Sequence, residues 1–115
     1  MSKYNADTVS YVIVVSGMPE GAHALFSERF PKHLGGVNPR IRETYHSVEC
    51  DIADVRGNIE WVVNTLSGQY TSLRLGINIY TPLNWANYEM PAEIICAVQE
   101  HAVSLKVMFS SPVKS

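Results

Sequence analysis

The stretch Ser72-Leu73-Arg74-Leu75-Gly76-Ile77-Asn78-Ile79-Tyr80 alternates without a break between apolar residues and polar or small ones. Successive side chains of a strand point to opposite sides, so this pattern describes a strand with one face buried and one face solvated. Val103, Leu105, Val107 and Phe109 repeat the pattern against Ser104, Lys106, Met108 and Ser110. A sheet held between two helical layers needs strands that are apolar on both sides. These two one-sided strands predict helices on a single face.

The rest of the chain supplies those helices and two more strands. Val9 to Val15 is β-branched and aromatic at nearly every position, which suits a strand in the middle of a sheet. Ser16-Gly17 ends it, and Pro19 suits the first turn of a helix with Ala22, Leu25, Phe26 and Phe30 inward. Pro31 stops that helix, and the two prolines and Gly35-Gly36 make residues 31–42 read as a long loop. A second strand runs from about Thr44 to Ile52, with His46, Val48, Cys50 and Ile52 sharing one face. Asp54 is placed to cap a helix whose stripe is Val55, Ile59, Val62, Val63 and Leu66, closed by Ser67-Gly68. Pro91 opens a third helix with Ile94, Ile95, Val98 and Ala102 inward.

The expected order is β-α-β-α-β-α-β. It predicts an α+β two-layer sandwich, a four-stranded mixed sheet with three helices on one face. At 115 residues and 46% hydrophobic the chain makes a single domain, 1–115, with an ordered core over about 9–110. Nine Lys and Arg against eleven Asp and Glu leave a net charge of -2, which argues against nucleic-acid or anionic-membrane binding. No apolar run approaches the length of a membrane span, and Met1 to Thr8 is polar rather than leader-like. A cytoplasmic location is expected, with Cys50 and Cys96 as free thiols.

The Val-Asn-Pro-Arg turn at Val37 to Arg40, the helix Asn58-Ile59-Glu60-Trp61-Val62-Val63-Asn64-Thr65-Leu66 and the closing segment Pro91 to Phe109 carry a further pattern. In these the chain resembles the bacterial domain of unknown function 4279 family, over about Val9 to Phe109. Two positions depart from that family: Tyr45-His46 stands where a Trp is usual in the second strand, and Lys106-Val107-Met108 lacks the usual acidic residue. The resemblance implies the same fold and brings no activity with it.

No catalytic set is legible. Zinc motifs, nucleophile elbows and phosphate-binding glycine loops are absent. His23, His33, His46 and His101 stand at no metal-ligand spacing, so neither a metal nor a cofactor is expected. His46 and Cys50 share a strand face roughly 13 Å apart, too far to act as nucleophile and base. Two features remain. Lys32, Arg40 and Arg42 lie in the acid-free stretch 29–42, with His33 beside them, and would suit an anion. Trp61, Trp85 and Tyr88 fall on a polar helix side and in an irregular segment, where they would suit a protein interface.

The expected function is therefore a non-enzymatic protein-binding module working through Trp61, Trp85 and Tyr88. By fold-level analogy it would be an immunity protein that occludes the basic active site of a cognate toxin. Two alternatives stand beside it. One is binding or turnover of an anionic small molecule at Lys32, Arg40 and Arg42. The other is a homo-oligomer, such as a homodimer, formed through the polar sheet face or a sheet edge.

Overall fold

The computed structural model describes residues 8–80 and 89–110. In chain order the elements are β1 (Thr8–Ser16), α1 (Glu20–Arg29), β2 (Leu34–Asn38), β3 (Glu43–Cys50), α2 (Ile52–Leu66), β4 (Ser72–Tyr80), α3 (Ala92–Glu100) and β5 (Ser104–Ser110). One mixed sheet runs β2-β3-β1-β4-β5. All neighbours are antiparallel except β4 and β5, which are parallel and joined through α3. The two-layer α+β arrangement stands, with five strands rather than four.

β1 occupies the centre, and its composition explains why. Tyr11, Ile13 and Val15 are buried toward the helices, while Val12 and Val14 put β-branched side chains on the opposite face. On β4 the predicted alternation holds: Leu73, Leu75, Ile77 and Ile79 are buried. β1 packs on α2, and both strands share one buried cluster with its Val55, Ile59, Val62 and Leu66, which are at most 1% exposed. Ala22, Phe26 and Phe30 close the core from the α1 side, and Ile94 and Ala97 close it from α3.

The fifth strand lies within the stretch expected to be a loop. β2 pairs with β3 so that Gly35 faces His46 and Gly36 faces Tyr45. A Cβ on Gly35 would come within 3.0 Å of the His46 ring, and one on Gly36 within 2.5 Å of the Tyr45 hydroxyl. Rings from β3 thus fill the space that the two glycines leave, which offsets the usual weakness of glycine in a strand. The hairpin turns through Pro39 to Arg42. There the Asn38 side chain accepts a hydrogen bond from the Arg40 N–H, and the Asn38 carbonyl accepts one from the Arg42 N–H. Arg42 itself takes a left-handed φ of 53°.

Other boundaries shift by a turn. α2 begins at Ile52, with Asp51 at its N-cap position in place of Asp54, so Ile52 opens the helix instead of ending the strand. Asp54 sits in the first turn, where a carboxylate favours the positive end of the helix dipole. Leu25, Ile95 and Ala102, expected inward, are exposed. Ala97 takes the inward place on α3. Ser67 (φ 51°) and Gly68 (φ 77°) end α2 as expected.

Candidate functional site

Because all three helices cover one side of the sheet, the other side is open. Its register sets the site. Across the strands, Ser47, Val14, Arg74 and Ser104 form one row, and Glu49, Val12, Gly76 and Lys106 form the next. Asn78 and Met108 follow on β4 and β5. Val14 and Arg74 of the first row and Val12, Gly76 and Lys106 of the second, with Asn78 and Met108, floor a groove of about 450 Å³ that is walled by Asn38, Ile41 and Glu43 of the β2–β3 hairpin and by Tyr45. Gly76 lowers the floor between Val12 and Lys106, and a Cβ there would make only ordinary contact, 3.6 Å from the Val12 carbonyl.

The groove combines apolar and cationic chemistry. Val12, Val14, Ile41, Tyr45 and Met108 give it an apolar lining. Arg74 and Lys106 bring two positive charges against the single carboxylate of Glu43. Among the described residues neither cation forms an ion pair; the acids that do so belong to Arg56 and His101 on the helical side.

The residues singled out from the sequence are placed elsewhere. Trp61 is half-buried on α2, with its ring edge-on to Phe30 at 5.5 Å and the Arg29 guanidinium 5.8 Å from its centroid. It packs on α1 and supports the core edge more than it offers a free anchor. Trp85 and Tyr88 lie outside the described residues. Lys32 precedes β2 while Arg40 and Arg42 follow it, so a whole strand of roughly 13–17 Å separates them. The three do not converge on one anion.

What the linear spacing hid is on the helix side of the same hairpin. His23 of α1, His33 of the α1–β2 connection and His46 of β3 come together, each offering a ring nitrogen within 4.8 Å of the others. The His23 and His46 rings stack at 4.3 Å, and His33 meets His46 edge-on at 4.8 Å. The His33 Nδ1–H donates to the Phe30 carbonyl at 2.8 Å, and His23 Nε2 lies 3.2 Å from Ser27 Oγ. Burial pushes the His46 pKa below the ordinary imidazole value, helped by the neighbouring charges of His23 and His33. Position of His46 on the apolar face of β3 was the one signal in the sequence, and nothing there ties it to His23 or His33.

The thiols differ in setting. Cys50 is half-buried on the helix face of β3. Burial raises its pKa, a hydrogen bond with the Asn58 side chain lowers it, and the carboxylates of Asp54, Asp51 and Glu49 raise it further. Such a thiol is a poor nucleophile. Cys96 is exposed on α3.

No protein-family model, no curated protein and no solved structure matches the chain. Among the described residues no helix is long and apolar enough to cross a membrane.

Proposed function

We propose that this chain is a non-enzymatic binding module whose working surface is the open face of the sheet. The observation that carries the reading is the groove itself, in which an apolar floor is flanked by Arg74 and Lys106, both free of ion pairs among the described residues. A charge left unpaired beside apolar surface is suited to a partner that brings the opposite charge and covers the apolar area together. The partner favoured is an acidic, partly apolar segment of another protein. Neutralisation of a toxin is a finer form of this reading, and the groove's cations favour an acidic toxin surface over the basic one expected from the overall charge. A likeness to the domain of unknown function 4279 family belongs to the same reading and adds no activity to it.

The test is affinity capture from host lysate with the wild-type chain beside Gly76→Val and Arg74→Glu/Lys106→Glu. Valine suits a strand, and a Cβ at position 76 makes only ordinary contacts, so the first variant is expected to fill the groove with the fold kept, which circular dichroism checks. A stoichiometric partner lost with both variants supports the reading. A partner retained by both, and lost with Trp61→Ala, moves the surface to the helix side.

The enclosing shape also supports a second reading, an anionic small molecule held by Arg74 and Lys106. It predicts concentration-dependent thermal stabilisation by carboxylate or phosphate compounds, abolished in the charge-reversed variant.

A further inference from the structure

We propose that His23, His33 and His46 form a binding site for one divalent transition-metal cation of the zinc class. The site is independent of the groove, since β3 separates them: Tyr45 points to the open face and His46 to the helix face.

The donor set is the first support. Three imidazoles from three separate segments offer nitrogens within 4.8 Å of one another. Zinc bound through 2.0–2.1 Å bonds in tetrahedral geometry holds its nitrogens about 3.3 Å apart. Modest side-chain rotations close that gap, because each ring is carried on a flexible Cα–Cβ–Cγ linkage. Three nitrogen donors with no carboxylate in the group select zinc, cobalt, nickel or copper over magnesium and calcium.

Orientation is the second support. A ligating histidine ordinarily donates its other ring N–H to a carbonyl or carboxylate, which fixes the tautomer and aims the free lone pair. His33 does this: its Nδ1–H is committed to the Phe30 carbonyl, so Nε2 carries the lone pair. The same bond satisfies a carbonyl at the C-terminus of α1, tying the would-be ligand to the helix that also carries His23. His46 Nδ1 is buried without a hydrogen-bond partner and packs over Gly35. An imidazole nitrogen in that state costs free energy that coordination through Nδ1 itself would recover.

Surroundings are the third. Phe26 lies beneath the group, its ring centroid 5.3 Å from that of His33 and 6.2 Å from that of His46. An apolar floor excludes water from one side of a cation and leaves the opposite side for a fourth ligand. Glu60, Glu100 and His101 also cluster, but Arg56 already pairs with both carboxylates at 3.5 and 3.6 Å. That second group serves as the internal control.

The experiment uses the full chain, purified without a polyhistidine tag and stripped with chelator. Zn²⁺ binding is followed by calorimetry and by thermal melting, and Co²⁺ binding by visible absorption. One ion per chain is expected, with a rise in Tm that grows with Zn²⁺ concentration and the absorption of a low-coordinate nitrogen site. His33→Gln and His23→Asn are each expected to weaken binding by about tenfold or more, and His101→Gln to leave it unchanged. His33 is only half-buried, so its variant is expected to fold, which circular dichroism checks; His23→Asn gives a second, independent reading. Absence of saturable binding overturns the proposal. So does binding that survives both cluster variants, or that disappears with His101→Gln.

Discussion

β4 and β5 carry the same alternating pattern, lie side by side in parallel register and fare quite differently. Leu75 and Ile77 are 0% exposed, yet their cross-strand partners Leu105 and Val107 are 41% and 49% exposed. The four side chains point to the same face. What separates them is place: β4 lies inside the sheet between β1 and β5, while β5 is its edge. α2 packs on central β1 and α3 packs on α2, and the exposure of Leu105 and Val107 shows that the edge strand is less covered. Alternation therefore reports which face a side chain takes; it carries no information on whether a helix reaches far enough to cover it.

The sharpest way to break this comparison is to put the same charge on each strand. Leu75→Lys is expected to abolish folding, since an unpaired ammonium would be buried, whereas Leu105→Lys should keep a native circular dichroism spectrum and urea midpoint. Truncation gives a graded version. Ile77→Ala should cost about 2–5 kcal/mol in urea unfolding, and Val107→Ala less than about 1 kcal/mol, because little buried volume is lost at the edge. Equal losses would mean that β5 is covered after all.

A backbone change extends the contrast to the end of β1. Gly17 has φ 70°, and a Cβ there would collide with the Thr71 side chain. Gly17→Ala is expected to destabilise by more than about 1 kcal/mol. Gly76→Ala on the open face should be close to neutral by the same assay. The smallest effect is chemical. In the folded protein Cys96 should react readily with a thiol reagent, while Cys50 reacts slowly. Its rate should climb only at more alkaline pH than is usual for a thiol, because burial raises the Cys50 pKa and depletes its thiolate.

Legibility followed the range of the physics involved. The α2 stripe, the Ser67-Gly68 stop, the β4 alternation and the central place of β1 are local in origin, set by side-chain period and backbone preference. They could be read residue by residue. β2 was missed because glycine normally counts against a strand, and the rings that compensate, Tyr45 and His46, come from its partner. The groove and the histidine cluster were hidden for a related reason. Arg74 and Lys106 meet only through the β4–β5 register, and His23, His33 and His46 only through the packing of α1 on the hairpin. By contrast the basic stretch 29–42 looked like a unit in sequence, and a strand running through it set Lys32 apart from Arg40 and Arg42.

The central position of β1 bears on how the chain is made as well as on how it rests. Of the described strands, the ribosome delivers β1 first, but its neighbours are β3 and β4, so one flank waits for Cys50 and the other for Tyr80. At ~5–20 residues per second, the Tyr11-Val12-Ile13-Val14-Val15 segment spends on the order of several seconds with at least one unpaired edge. Every residue of that stretch is β-branched or aromatic, the composition that favours strand pairing. The β2–β3 hairpin, complete well before β4 exists, is the first native partner able to shelter it. The glycine-containing strand pair is thus the first native cover that synthesis makes available to the central strand.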